Sequence, residues 1–248
     1  MNEDIKIYIF AALAALVALT VHEFSHGYAA YKMGDNTARN LGRLTFNPIK
    51  HLDPIGLLCM IFFRVGWAKP VPINARNFRN PKWGFALVGV AGPLSNILLG
   101  FLTGGVYLTL IALTRGLVVE SEVVYNLLSN GLLFLGTFFS VNIGLGIFNL
   151  LPIPPFDGSR LLNVILPPKL YFGVMKYERK IYLGVLLWLL LGDTVAHLLR
   201  SIPLVASVPW LNFAVGIFSL SGIISTAISA VMNLILDFWQ LIPFLSLT

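Results

Sequence analysis

The sequence predicts an all-α polytopic membrane protein with about five or six transmembrane helices and a short membrane-associated β or re-entrant segment after the first span. Of its 248 residues, 57% are hydrophobic and only 11% are charged, whereas an ordinary soluble domain is about 45–50% apolar and about 25% charged. The apolar residues also come in long runs, as helices that cross a bilayer require. With so few charges, the chain cannot cover the surface of a soluble fold of this length.

Five segments reach the length of about 20 mostly apolar residues that a spanning helix needs. The fourth is only just long enough. The last is either one long tilted helix or a span followed by a re-entrant piece, because Gly216, Gly222 and several serines interrupt it. The predicted spans are about 5–31, 83–114, 123–151, 181–200 and 210–245.

The segment 34–82, between the first two spans, has a mixed composition and supplies the membrane-associated element. Its apolar patch "IGLLCMIFF" (55–63) is too short to cross a bilayer, so we expect it to be interfacial or re-entrant. Two other stretches, "NLGRLTF" (40–46) and "AKPVPIN" (68–74), are predicted to form short strands near the membrane surface.

The basic residues predict how the chain is oriented in the cell membrane. Fourteen of the 17 lysines and arginines lie in 32–82 and 160–180, and such loops face the cytoplasm. The N-terminus then starts outside and the C-terminus ends inside, an alternation that five spans satisfy. The net charge of +6 thus indicates topology and contact with lipid headgroups rather than nucleic-acid binding. A specific anionic partner is the alternative.

The stretch "HEFSH" (22–26) places three ionisable residues inside the first span. His22 and His26 are four residues apart, so they lie on one helical face and both imidazoles reach one metal ion. Glu23 projects to one side, where a general base acts on a water at the metal. The alternative is a buried pair of hydrogen-bonded histidines. Ionisable groups within spans are rare and usually functional, which favours the metal site.

A catalytic zinc site needs a third protein ligand, and Asp157 is the candidate. It follows three prolines in "FNLLPIPPFDGSRLL", at the cytoplasmic end of the third span. Prolines end a helix and leave an extended segment. Because the first and third spans run in the same direction, Asp157 is expected at the depth of His22 and His26. The alternative is a solvated aspartate in a turn.

Four motifs in this order resemble the site-2 protease family of intramembrane zinc metalloproteases. They are "HEFSH" (22–26), "GPLSN" (92–96) and "NLLPIPPFDG" (149–158), with "NPIKHLDPIG" (47–56) resembling a further motif of compact bacterial members. The resemblance covers about residues 16–165, and the combination of motifs is highly specific.

The resemblance implies that His22, His26 and Asp157 bind one Zn²⁺ per chain and that Glu23 is the catalytic acid and base. Asn149 matches a family asparagine that assists at the reacting centre, the alternative being an amide that packs helices together. The implied reaction is hydrolysis of peptide bonds in transmembrane or membrane-associated protein substrates by zinc-activated water, in a single integral membrane protease domain over 1–248.

Other polar residues have weaker assignments. Asn96 and Asn142 are at least as well explained by hydrogen bonds between helices. His51 and Asp53 are either a second metal site or, as we favour, a structural network that holds their loop. Phe156 stands where the family often has leucine.

The resemblance is to the compact type, because we expect no insert large enough for a PDZ domain and no CBS domain after the last span. The predicted strands 40–46 and 68–74 are expected to receive an unwound substrate as an added strand, since backbone pairing requires little sequence specificity.

A membrane metal-ion transporter is the main alternative from another class, since histidine and aspartate in spans also serve ion passage. It predicts a polar relay through the membrane, yet residues 7–19, outward of His22, are apolar. A non-proteolytic membrane scaffold of the same fold is a further alternative. Such relatives usually lose a ligand or the glutamate, and this chain keeps all four.

Overall fold

The computed structural model describes residues 3–56, 68–208, 211, 215 and 220–246, and these residues are mostly helical and contain no sheet. The predicted all-α polytopic fold is confirmed. The long helices are α1 (Glu3–Lys32), α2 (Pro81–Thr114), α3 (Glu122–Leu150), α4 (Glu178–Arg200) and α5 (Leu220–Gln240). Short helices and 3₁₀ turns occur at Thr37–Asn40, Pro48–Lys50, Ala75–Asn77, Asp157–Leu161, Leu162–Ile165, Pro168–Met175, Pro203–Ser207 and Pro243–Leu245.

Within the described residues, four helices are long and apolar enough to cross a membrane, namely α1, α2, α3 and the Gly222–Gln240 part of α5. Helix α4 makes a fifth span if its two halves, Glu178–Trp188 and Leu191–Arg200, which are bent by 47°, are taken together. The structure therefore gives four or five spans where the sequence predicts about five or six. Several apolar helices of this kind define an integral membrane protein.

Helices α1, α2 and α3 pack against one another, α5 packs against α2 and α3, and α4 contacts α5. Phe139 and Ile143 of α3 are buried against Ile235 of α5. By contrast, one stripe of α2 leaves Leu94 and Leu98 more than half exposed. Exposed leucines at helical spacing are what a lipid-facing surface requires.

The ends of α2 and α3 follow from local sequence. Asn80 precedes α2 and its side chain accepts the backbone N–H of Trp83, while Pro81 occupies the first helical position. Helix α3 ends at Leu150 because Pro152 cannot continue it. Helix α2 then packs against both α1 and the 3₁₀ turn Asp157–Leu161 that follows α3.

The strand predictions for 40–46 and 68–74 are wrong. Residue 40 ends a short helix and 41–46 form turns, and in the second segment Ala68 alone pairs, in an isolated antiparallel bridge with Leu52. Pro70 and Pro72 lack the N–H groups that a ladder needs, so pairing cannot extend past this bridge. Most of the apolar patch 55–63 lies outside the described residues.

Asp35 joins the end of α1 to the segment before α2. Its side chain is fully buried, and its carboxylate accepts hydrogen bonds from the backbone and hydroxyl of Thr37, from Asn74 N at 2.7 Å and from Asn77 Nδ2 at 2.8 Å. Burial alone raises the pKa of Asp35, but these hydrogen bonds outweigh it and hold the pKa below the ordinary value of 3.8.

We expect Asp35→Asn to destabilise the protein near neutral pH by about 2 kcal/mol, the contribution of hydrogen bonds to a charged group. Because the folded-state pKa is lowered, this stabilisation is complete above 3.8 and is lost as the pH falls through the folded-state value. Thermal unfolding of both proteins in detergent across this pH range measures the difference. Equal stability at neutral pH would contradict the assigned role.

Candidate active site

His22 and His26 lie one turn apart on the face of α1 that packs against α2. Both are 4% exposed. Their rings are nearly perpendicular, with centroids 4.6 Å apart, and their Nε2 atoms are 3.0 Å apart. Because the two residues are one helical turn apart, the Nε2 atoms of both rings point to the same place.

Asp157 reaches that point from a segment 131 positions beyond His26. It opens the 3₁₀ turn Asp157–Leu161 after the proline-rich segment, and its Oδ2 lies 3.0 Å from His22 Nε2 and 3.1 Å from His26 Nε2. Gly158 makes this turn feasible, because a Cβ there would lie 2.1 Å from the carbonyl oxygen of Leu150. The structure thus brings the three predicted ligands together, with their ligand atoms within 4.8 Å of one another.

The outer nitrogens of the two rings indicate their tautomers. His22 Nδ1 lies 2.6 Å from Asn96 Oδ1, and His26 Nδ1 lies 2.6 Å from the carbonyl oxygen of Val88. Each Nδ1 must carry a proton to donate to these oxygens, so in the neutral form of each ring, the form that binds a metal, the lone pair is on Nε2. Two lone pairs and a carboxylate oxygen repel one another unless a cation lies between them. The donor set therefore fits a Zn²⁺ ion with one position left open.

Asn96 is fixed by an amide network that spans three helices. Its Nδ2 donates to the carbonyl oxygen of Ala18 at 3.1 Å and to Asn142 Oδ1 at 3.0 Å, and Asn142 Nδ2 donates to Phe138 O at 2.8 Å. With both donors used, the Oδ1 of Asn96 is the atom that faces His22. Both asparagines thus form the expected hydrogen bonds between helices. Through Asn96, these bonds also orient the ring of His22, a candidate ligand.

Glu23 lies beside the two histidines in a cavity of about 380 Å³. Its Oε2 accepts the backbone N–H of Val71 at 2.8 Å. The cavity wall is mostly apolar and is formed by Leu19, His22, Glu23, His26, Ala68, Pro70, Val71, Ile73, Leu145, Phe148, Asn149, Pro155, Phe156, Asp157, Arg160, Tyr182, Val185 and Leu186. The candidate ligands and the candidate base therefore share one space that is large enough for a peptide segment.

Asn149 lines this cavity, and its Nδ2 donates to Leu145 O, one turn back in α3, at 3.0 Å. One of its two amide protons is thus used within the helix.

His51 and Asp53 are engaged locally. His51 is buried with Nε2 2.8 Å from Thr45 O, and Asp53 accepts the N–H groups of Ile55 and Gly56. Among the residues that the structure describes, His22, His26 and Asp157 form the one group of three candidate metal ligands. The structural network is therefore the better account of His51 and Asp53.

Arg160 was not identified from the sequence. Its Nη2 lies 3.7 Å from Asp157 Oδ1, and its guanidinium carbon lies 5.1 Å from the centre of the Phe85 ring. The two oxygens of Asp157 thus face different groups, Oδ2 the histidines and Oδ1 a cation. The spacing of three residues within "DGSR" is the signal that predicts such a pair in a helical turn.

The helical membrane fold and the buried His, His, Asp cluster beside a glutamate are the features expected of a membrane metalloprotease. The family model for Peptidase family M50 matches residues 116–191, which include Asn149 and Asp157 but not the two histidines. No solved structure gives a significant match.

Curated relatives extend the similarity over the rest of the site. The chain is 41% identical over 160 residues to YwhC of Bacillus subtilis (strain 168), covering 64% of this chain and 70% of that protein. It is 27% identical over 239 residues to Rip2 of Mycobacterium tuberculosis (strain H37Rv), covering 95% and 82%. It is 29% identical over 160 residues to MJ0392 of Methanocaldococcus jannaschii, covering 64% and 34%. All three carry zinc metalloprotease names.

The chain therefore belongs to peptidase family M50, the site-2 protease family. Membership makes it a metalloprotease whose cofactor is zinc.

Proposed function

We propose that this protein is an intramembrane protease that hydrolyses peptide bonds of transmembrane or membrane-associated proteins. In this proposal, His22, His26 and Asp157 hold the zinc ion and Glu23 is the general base and acid. The observation that carries it is the convergence of the two Nε2 atoms of His22 and His26 and one carboxylate oxygen of Asp157 in the cavity that Glu23 also lines.

The chemistry divides among the residues of the cavity. Zinc, when bound, supplies a Lewis acid and lowers the pKa of water to about 7. Glu23 takes a proton from the attacking water and gives it to the leaving amine. The free amide proton of Asn149 donates to the oxygen of the scissile carbonyl as negative charge develops there. His22 stays in one tautomer throughout because Asn96 accepts its Nδ1 proton.

The cavity also supports the substrate class. Its wall includes Leu145, Phe148, Val185 and Leu186, which suit the apolar side chains of a membrane segment that has unwound locally. We place the site toward the cytoplasm. The loops that follow α1 and α3, next to the site, hold most of the basic residues, and such loops face the cytoplasm. In this proposal, the long helices form a single protease domain.

A substrate panel tests the proposed function. Detergent-purified protein is incubated with single-span membrane proteins, and the fragments are identified by mass spectrometry. We expect cleavage within or next to the spans, loss of cleavage after chelation, and recovery when zinc is returned. Cleavage that persists in the chelated protein, or no cleavage of any panel member by the zinc-loaded protein, would contradict the proposal.

Asn96→Leu is expected to lower the zinc affinity about 10- to 100-fold, as loss of an outer partner of a ligating histidine does. The substitution removes the acceptor that holds the Nδ1 proton of His22, so the ring is free to turn and to change tautomer. Competition with a calibrated chelator measures the affinity. Thr109→Val, which removes a hydroxyl hydrogen bond elsewhere in α2, is the matched control and should leave the zinc affinity unchanged. Equal affinity of Asn96→Leu and wild type would exclude the role.

A further inference from the structure

Residues 68–73, "AKPVPI", form a non-helical segment along the cavity, called the strap here. Four of them line it, namely Ala68, Pro70, Val71 and Ile73. Proline lacks an N–H group, and Pro70 and Pro72 flank Val71. Val71 therefore has the one backbone donor in 70–72, and this donor is directed at Glu23 Oε2 over 2.8 Å.

The strap is fixed on the N-terminal side of Val71. Lys69 donates its N–H to His51 O at 2.8 Å. Nη2 of Arg43 donates to the carbonyl oxygens of Lys69 and Pro70, at 2.9 and 3.2 Å. A cation thus holds the two carbonyl groups that precede the Val71 amide, and the direction of its N–H is set.

Val71 itself and the C-terminal side are also held. The Val71 side chain is 5% exposed and lies against Gly27 of α1, one turn from Glu23. Beyond the strap, Asn74 donates its N–H to the buried carboxylate of Asp35 at 2.7 Å. The donor to Glu23 is therefore built into the fold on both sides rather than being a chance contact of a loose loop.

We propose that the strap is a positioning element of the active site, and that the Val71 N–H holds Glu23 Oε2 so that Oε1 is the oxygen that exchanges a proton with water. This inference rests on the proposed role of Glu23 as general base. A glutamate side chain has three rotatable bonds, and a preorganised hydrogen bond to one oxygen removes the cost of ordering it during the reaction. A charge-assisted bond from a fixed amide is suited to this task.

The same contacts change the expectation that a substrate pairs with this segment as an added strand. The N–H groups of Lys69 and Val71 are already used by His51 and Glu23, and the prolines have none. Residues 69–72 therefore offer no amide donor to a substrate. The Val71 N–H instead positions the carboxylate of Glu23.

Hydrogen exchange tests the contact without reference to catalysis. The zinc-loaded wild type and Glu23→Ala are compared in detergent by mass spectrometry of peptides that cover 68–73, where the prolines contribute no amide. Exchange at Val71 is expected to accelerate at least about tenfold in Glu23→Ala, as follows from losing a hydrogen bond to a charged acceptor. Exchange at Lys69, whose acceptor is His51 O, should not change.

A backbone ester tests the function of the contact. Replacing Val71 by its α-hydroxy acid, α-hydroxyisovalerate, deletes the N–H and keeps the side chain. We expect kcat to fall about tenfold or more, with KM and zinc content unchanged, because the ligands and the cavity wall are retained. The same replacement at Val118, which is 90% exposed between α2 and α3, is the matched control and should leave all three at wild-type values.

Two results would overturn the inference. One is unchanged Val71 exchange in Glu23→Ala, and the other is a wild-type kcat in the Val71 ester. If the wild type cleaves no substrate, the proposed protease function fails instead, and the exchange comparison still decides whether the strap holds Glu23.

Discussion

Glu23→Gln is expected to reduce peptide cleavage by at least about a hundredfold, the usual contribution of a general acid or base, while zinc stays bound. Glutamine has the same shape as glutamate, and its carbonyl oxygen accepts the Val71 N–H that Glu23 Oε2 accepts. Its amide cannot take a proton from water. The substitution therefore removes the base and leaves the cluster of His22, His26 and Asp157 in place.

Two measurements on the same preparation check this result, namely the initial rate of cleavage and the zinc content by elemental analysis. Glu120→Gln, which removes an exposed carboxylate in the connection between α2 and α3, is the control and should cleave as the wild type does. Activity of Glu23→Gln within a few-fold of wild type would disprove the assignment of the base. Loss of its zinc would show that Glu23 contributes to metal binding, which also contradicts the assigned role.

Much of the site was predictable because its residues follow two simple regularities. The helical period places His22 and His26 on one face without any knowledge of the fold. Alternation of spans then puts Asp157 at the same depth, and the 3.0 Å distance between Asp157 Oδ2 and His22 Nε2 agrees with that expectation. The long helices were also recognisable, as in the prediction of 83–114 for the helix Pro81–Thr114, because apolar runs define them directly.

The surroundings of the site were not predictable, because they depend on contacts between distant parts of the chain. Val71 donates to a residue 48 positions earlier, and Asn96 faces a histidine 74 positions earlier. The sequence predicts a short strand for "AKPVPIN" (68–74), where the structure has the strap instead. The absence of N–H groups at Pro70 and Pro72 distinguishes the two, because a strand in a ladder needs those donors.

The buried polar residues of α1 illustrate how a membrane helix can hold ionisable groups. His22 and His26 each pair one nitrogen with a fixed oxygen, from Asn96 or from Val88, and turn the other toward the proposed metal position. Glu23 pairs with the strap. Every one of these groups is met by a partner from another segment, so the cost of burying it is offset by hydrogen bonds and, for the histidines, by the ion that the site fits.

Gly92→Ala is expected to abolish zinc binding and, with it, cleavage. Gly92 lies in α2 opposite the two histidines, and a Cβ at this position would be 2.5 Å from His26 Nε2 and 2.7 Å from His22 Nε2. Both distances are far shorter than a non-bonded contact, and both involve the nitrogen atoms that face the metal position. The methyl group must push the rings apart or occupy the place of the ion, and the donor set is lost in either case.

Zinc content, cleavage and thermal unfolding of Gly92→Ala separate this local effect from general damage. Alanine favours a helix over glycine by about 1 kcal/mol, so α2 itself is not expected to unfold. Gly131→Ala in α3, where a Cβ meets nothing within 4 Å, is the matched control and should bind zinc and cleave as the wild type does. Wild-type zinc content in Gly92→Ala would mean that the metal does not lie between His22, His26 and Asp157, because the added methyl group leaves no room for an ion on that side of the rings.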